Sequence, residues 1–234
     1  MRYGNMETIK TMKKIVKEML RKFGVDVRRV SDEHVTPITA KWMGNFFYFV
    51  ERYQYITNVP GDIVECGVGR GRTFLYLAFL VSEDLKPRTL WGFDSFKGFP
   101  EPTKEDKSFR NPQKGERNNT TVDSVTWLLK DAGIPKEVLE AKVKLVPGFF
   151  NESLKKFSGS QIAFLHLDGD LYESYRGPLE YLYPKVAKGG VVLFDEYGDP
   201  AFPGGDKAIR DYFKGKNVEI LKDRLSGKHY FVKP

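Results

Sequence analysis

Acidic side chains mark the ends of four apolar runs that are predicted to be β-strands. Glu65 comes at the end of the first run and Asp94 ends the second. Asp168 ends a third, and Asp195 with Glu196 ends a fourth. In a parallel sheet the carboxyl ends of the strands open on one edge, which is where ligands bind. Carboxylates gathered at that edge attract cations, so the pattern predicts a site for positively charged ligands.

Asp168, Asp195 and Glu196 are the candidates for a metal site. If their strands are neighbours, the backbones lie about 4.8 Å apart, and carboxylates that close raise one another's pKa by repulsion. A hard divalent cation removes this cost, and an all-oxygen ligand set favours magnesium, calcium or manganese. The alternative is that these acids cap helices and stay solvated. Asp170 suits the N-cap of the next helix, and His166 is more typical of a buried, hydrogen-bonded histidine.

A glycine-rich turn, GVGRG, follows the first predicted strand and contains Gly67, Gly69 and Gly71. It lacks the Gly-Lys-Ser/Thr ending of a P-loop, and its third glycine comes one residue early for a dinucleotide fold. Glu65 beside it would repel a pyrophosphate but suits a cation. S-adenosylmethionine carries a sulfonium and an ammonium group and no phosphate, so it fits best. Asp94 suits ribose hydroxyls, although NAD would use the same acid.

Short apolar runs alternate with helical patterns from residue 61 onward, which predicts an α/β fold with a parallel sheet covered by helices on both faces. The predicted strands span 63–66, 89–94, 143–146, 162–167 and 190–195. The predicted helices span 72–82, 121–132, 152–157, 172–186 and 206–214. Two last strands, 218–221 and 229–232, are expected to form an antiparallel pair at one edge.

The segment before this pattern contains two predicted helices. Residues 6–23 have apolar residues at helical spacing with lysines between them, as expected for a helix that packs on the domain, on a second subunit or on a membrane. Residues 37–56 are strongly aromatic and predict a helix against the core. We therefore expect residues 1–59 to be a helical extension for acceptor recognition or dimer contacts, and 60–234 to be the main domain. The polar loop 95–119 is expected to be a mobile lid at the ligand edge.

Composition sets broad limits on function. The chain has 234 residues and a net charge of +7, which suits nucleic acid, an anionic membrane or an acidic substrate, or simply a lysine-rich surface. No apolar run approaches the roughly 18 residues of a transmembrane span. The single cysteine, Cys66, excludes an intrachain disulfide. With no apolar signal-peptide core, we expect a cytoplasmic protein.

Four segments in order carry a family resemblance: VECGVGRGRTFLYLA, GFDSFKGFPEPT, LVPGFFNESL and FLHLDGDLYESYRGPLEYLYPKVAKGGVVLFDEYG. Over residues 60–213 the chain resembles the macrocin-type (TylF-type) O-methyltransferases, which are class I S-adenosylmethionine-dependent methyltransferases. The resemblance implies a Rossmann-like, seven-stranded methyltransferase sheet whose last strand is antiparallel. It also implies magnesium-dependent methyl transfer to a hydroxyl, typically on a sugar of a natural product or glycan.

The resemblance assigns roles by position. Asp168, Asp195 and Glu196 fall where the family holds its metal, although the family often has two aspartates where this chain has Asp-Glu. The residues implied to bind S-adenosylmethionine lie in the turn and after the second strand: Glu65, Gly67, Gly69, Gly71, Asp94 and Ser95.

The predicted mechanism is an in-line displacement in which magnesium binds the acceptor oxygens and Asp195 takes the proton. Two alternatives stay open at this point. The charge of +7 suits a methyltransferase that acts on RNA, and a protein that binds S-adenosylmethionine without turnover would carry the same turn. An NAD-dependent dehydrogenase is a weaker third alternative.

Overall fold

A seven-stranded mixed sheet organises residues 39–234, the part of the chain that this computed structural model describes. The strand order is β3-β2-β1-β4-β5-β7-β6, in which β1 to β5 are parallel and β7 and β6 are antiparallel to their neighbours. The strands are β1 (Asp62–Cys66), β2 (Leu90–Asp94), β3 (Val143–Pro147), β4 (Ile162–Leu167), β5 (Val186–Phe194), β6 (Leu221–Lys222) and β7 (His229–Val232). The predicted α/β class and antiparallel last pair are confirmed.

Helices cover both faces of the sheet because its central strands are apolar on both sides; every residue of β4 is buried. The helices are α1 (Ala40–Tyr55), α2 (Arg72–Glu83), α3 (Val122–Asp131), α4 (Lys136–Lys142), α5 (Phe150–Ser153), α6 (Tyr172–Tyr181) and α7 (Pro203–Phe213). One core contains Phe49 of α1 and Leu77 of α2, and the other contains Leu179 of α6 and Ile209 of α7.

Several element boundaries differ from the sequence predictions. The helix expected over 172–186 ends at Tyr181, since Pro184 lies in a 3₁₀ turn that follows it, and β5 begins at Val186. Helix α7 begins at Pro203, because proline is favoured in the first helical turn. Helix α4 was not predicted, and the strand expected over 218–221 is only Leu221–Lys222.

The aromatic helix predicted over 37–56 is α1, which belongs to the same compact unit, Ala40–Pro234, as the sheet. The predicted helix 6–23 lies outside the described residues. The roles expected for residues 1–59 and the mobility of loop 95–119 stay predictions. In the part of the chain that is described, no helix has the length and apolar character needed to cross a bilayer.

The sheet order places the acidic strand ends side by side. Strand β4 lies between β1 and β5, and backbone hydrogen bonds continue past the strands from Asp168 N to Cys66 O (2.9 Å) and from Asp195 N to Leu167 O (3.0 Å). The condition on which the metal prediction depended, that the strands bearing Asp168 and Asp195 are neighbours, is therefore met.

Candidate active site

The turn between β1 and α2 approaches the end of β4 so closely that only glycine fits at its first position. A Cβ on Gly67 would lie 1.8 Å from the carbonyl oxygen of Asp168, and the φ of Gly67 is +95°. Farther along the turn, the amide of Gly69 donates to Asp94 Oδ2 (2.9 Å). The other oxygen of Asp94 accepts from the amide of Phe96 (2.7 Å), so this carboxylate ties the turns after β1 and β2 together.

Glu65 lies behind this turn and is fully buried. Its Oε1 accepts a short hydrogen bond from the Thr73 hydroxyl and lies 2.9 Å from His166 Nδ1. Its Oε2 has no hydrogen-bond partner among the described residues. Burial raises the pKa of this carboxyl, and the contacts with His166 and Thr73 oppose the rise.

Four acids meet at the ends of β4 and β5. Ligand atoms of Asp168, Asp170 and Glu196 lie within 4.8 Å of one another, and so do those of His166, Asp168 and Asp195. Asp168 belongs to both sets, and no group within residues 39–234 hydrogen-bonds to its carboxylate. Burial, with repulsion from Asp195 and Asp170, raises the pKa of Asp168. The acidic cluster, as we call Asp168, Asp170, Asp195 and Glu196, therefore holds four carboxyl groups that repel one another when they are ionised.

Two basic side chains offset part of this charge, and neither was identified from the sequence. Lys228 Nζ contacts Asp195 Oδ1, and Arg117 Nη1 donates to Asp170 Oδ2 (2.7 Å). Burial tends to raise the pKa of Asp195, but Lys228, His166 and a hydrogen bond with Glu196 together outweigh it and the pKa falls. Burial raises the pKa of Asp170 to about 7, although Arg117 opposes the change. The φ of Asp170 is +62°, a conformation that non-glycine residues adopt mainly at turns and functional sites.

Glu196 is the most buried of the four acids. Its carboxylate accepts a short hydrogen bond from the Tyr175 hydroxyl. Burial and repulsion from Asp168 raise the pKa of Glu196. Glu196 therefore lies at the back of the acidic cluster.

A cavity of about 1330 Å³ joins the glycine-rich turn to the acidic cluster. Of the residues predicted from the sequence, six line it: Gly67, Gly69, Asp94, Ser95, Asp168 and Asp195. Glu65, Gly71 and Glu196 are not among the lining residues. Gly71 instead packs against α3, where an added Cβ would lie 3.0 Å from Leu128.

Loop 95–119 forms one wall of this cavity through residues such as Phe99 and Arg117. Buried Asp106 attaches the loop to α6 by accepting from the amide of Tyr172 (2.7 Å). Phe99 packs edge-on against Phe202, and Arg117 lies over both rings. The loop is thus connected to the acidic cluster through Arg117.

Comparison with known proteins shows which family this chain belongs to. The family model for macrocin-O-methyltransferase (TylF) matches residues 1–225. This chain belongs to the TylF family. It is therefore an S-adenosylmethionine-dependent O-methyltransferase, and the resemblance predicted from the four sequence segments is confirmed.

Proteins similar to this chain include several named O-methyltransferases. Mycinamicin III 3''-O-methyltransferase of Micromonospora griseorubida is 31% identical over 219 residues, which cover 91% of this chain and 83% of that one. Demethyldecarbamoylnovobiocin O-methyltransferase of Streptomyces niveus is 35% identical over 141 residues, 60% of this chain and 54% of that one. The solved structure of the O-methyltransferase NovP superposes with a TM-score of 0.70 at 29% identity, over 82% of this chain and 80% of that one.

Proposed function

We propose that this TylF-family enzyme methylates a hydroxyl on a sugar of a natural product or glycan and that it does so with a divalent cation. One observation carries the proposal: a single cavity is lined both by the glycine-rich turn and by three members of the acidic cluster, Asp168, Asp170 and Asp195. The sugar acceptor is supported by a relative that is 31% identical over 76% of this chain and is named as a 4'-O-methyltransferase of a rhamnosyl-tetracenomycin C. Methyl donor and acceptor would meet in this cavity.

The donor end of the cavity suits S-adenosylmethionine. We assign the close backbone approach to Gly67 and Gly69, and the ribose hydroxyls to Asp94 with Ser95 beside it. Glu65 lies behind the turn and Gly71 ends the turn against α3, so we assign both to shaping it rather than to direct contact. Glu65 is hydrogen-bonded to Thr73 and His166. From this buried position its negative charge would attract the positively charged end of the donor.

The acidic cluster fits a hard divalent cation in both chemistry and charge. Its donors toward such an ion are carboxylate oxygens, the ligands that magnesium and manganese prefer. Four carboxylates face two basic side chains, Lys228 and Arg117, so a formal charge of −2 is left over. We assign the cation to Asp168 and Asp195, with Glu196 as the buried third carboxylate; its hydrogen bond to Tyr175 orients it.

A divalent cation held by Asp168 and Asp195 would lower the pKa of the acceptor hydroxyl. The chain must then accept the proton, and Asp195 is our first candidate because it lines the cavity and its lowered pKa keeps it ionised. Asp170 is the second candidate, since it lines the same cavity on the side of Arg117. Loop 95–119 forms one wall of the site and would exclude water, while the cavity walls would align the acceptor oxygen with the methyl carbon.

The test is a radiolabelled methyl-transfer assay on the full-length protein with a panel of deoxysugar glycosides, nucleotide sugars and RNA. We expect label in a sugar hydroxyl, loss of transfer with EDTA and recovery with magnesium or manganese. Asp195→Asn and Asp170→Asn are compared at saturating metal, with Asp211→Asn on α7 as the control. The variant that loses kcat at saturating metal identifies the proton acceptor, whereas a variant that only requires more metal has lost a ligand.

Three results would contradict parts of this proposal. Methyl transfer that EDTA leaves unchanged would refute the requirement for a metal. Label that enters only RNA would refute the natural-product or glycan acceptor. Full activity in both aspartate variants removes the proposed base. Homodimer formation and a cytoplasmic location stay predictions; light scattering of the purified protein tests the first.

A further inference from the structure

Lys228 reaches the acidic cluster from an element that holds none of the residues assigned to the cofactor. It lies in the turn between β6 and β7, lines the cavity and places Nζ in contact with Asp195 Oδ1. The side chain is only 24% exposed, so burial removes much of its hydration. Its position is therefore set by the fold rather than by a mobile surface.

The turn that carries Lys228 is held rigidly by a buried aspartate. Asp223 accepts hydrogen bonds from the amides of Leu225 (3.1 Å) and Ser226 (2.7 Å) and from the Ser226 hydroxyl (2.8 Å). Its own amide donates to the carbonyl of Lys228 (2.8 Å). The backbone at both ends of the turn is therefore fixed.

Helix α1 anchors this turn through a second buried contact. Arg52 Nη2 lies 2.9 Å from Asp223 Oδ1, and both side chains are only 6% exposed. The Arg52 guanidinium also lies 4.1 Å from the centre of the Tyr230 ring on β7. Burying two charges is costly unless they are paired, so this ion pair makes the placement of Lys228 a built feature of the fold.

Lys228 and a divalent cation would bind the same carboxylate. Asp195 is both the partner of Lys228 and a member of the set that includes Asp168. Two cations on one carboxylate repel each other strongly when little water separates them. We propose that Lys228 is a tethered counter-ion, which neutralises Asp195 in the metal-free enzyme. The divalent cation must displace Lys228 in order to bind, and this competition lowers the affinity of the site for metal. This inference rests on the metal site of the proposed function.

The proposal predicts an effect that is opposite to the usual loss caused by a substitution in an active site. Removing the charge of Lys228 leaves Asp195 uncompensated, so metal should bind more tightly. At the same time, the metal-free protein should become less stable because the acidic cluster repels itself more strongly. A residue that only packs against the cavity wall would not shift these two properties in opposite directions.

The experiment titrates the full-length protein with MnCl₂ and with MgCl₂ by calorimetry, without donor or acceptor. The variants are Lys228→Met and Lys228→Gln, with Lys228→Arg to retain the charge and Lys222→Met as a control on the same hairpin. We expect both neutral variants to bind Mn²⁺ about tenfold more tightly. We expect Lys228→Arg and Lys222→Met to stay within about twofold of the parent. Urea unfolding in EDTA should show that the neutral variants are less stable.

Asp168→Asn separates failure of this inference from failure of the proposed function. If the parent binds Mn²⁺, Asp168→Asn does not, and both neutral Lys228 variants bind no more tightly than the parent, then the tethered counter-ion is refuted and the metal site stands. If the parent and all variants fail to bind either ion, the metal site itself is refuted, and the inference falls with it. The two neutral variants differ in shape, so a packing defect in one does not decide the result.

Discussion

Asp168 offers the sharpest test of the electrostatics, because its carboxylate has no hydrogen bond within residues 39–234 and belongs to both candidate metal sets. Asp168→Asn keeps the shape of the side chain and removes its charge. Two unit charges 4.8 Å apart repel by about 3.5 kcal/mol at an effective dielectric constant of about 20. Lys228 and Arg117 offset much of this repulsion, so we expect the variant to gain about 1 to 2 kcal/mol in free energy of unfolding without metal.

The assay is urea unfolding of the parent, Asp168→Asn and Asp211→Asn, first in EDTA and then in 10-fold increments of MgCl₂. Asp211 is the control because its carboxylate is half-exposed and pairs with Lys207 outside the cavity. In EDTA only Asp168→Asn should be stabilised. With magnesium the parent and the control should gain stability as the site fills, and Asp168→Asn should not.

Either of two results would refute this reasoning. A lower free energy of unfolding for Asp168→Asn in EDTA would mean that its carboxylate is stabilised by groups that outweigh the repulsion. An equal gain with magnesium in all three proteins would mean that the ion binds elsewhere.

Two further predictions concern the turn and the hairpin. Gly67→Ala should lose more than about 3 kcal/mol in free energy of unfolding, or fail to fold, because the new methyl group meets the carbonyl of Asp168. Gly69→Ala should lose only about 1 kcal/mol, because no atom lies within 4 Å of the new carbon. Burial tends to raise the pKa of Asp223, but hydrogen bonds from its turn and the charge of Arg52 lower it overall. The ionised Asp223 carboxylate should therefore contribute its full stabilisation above the unfolded pKa of about 3.9 and lose it as the pH falls through the lowered folded pKa. The parent and Asp223→Asn are compared by unfolding curves from pH 7 to pH 2. The difference between their free energies of unfolding should become smaller as the pH falls. A gap that stays constant with pH, or a Gly69→Ala loss equal to that of Gly67→Ala, would contradict these expectations.

The amino-acid sequence by itself determined the alternation of strands and helices and the gathering of acids at one edge of the sheet. Both follow from local patterns and one topological rule: short apolar runs form buried parallel strands, and the carboxyl ends of such strands share an edge. Asp94, Asp168 and Asp195 therefore line the cavity as expected. The family could also be inferred, because its segments occur in order along the chain.

Only the tertiary structure decided where each acid faces and what neutralises it. Glu65 is the register partner of His166 on β4, so the two side chains share one face and bond to each other behind the turn rather than in the cavity. Glu196 likewise turns to Tyr175. Lys228 meets Asp195 because β7 pairs antiparallel with β5, a contact between residues 33 positions apart. Such partners depend on register and long-range packing, which no local pattern in the sequence encodes.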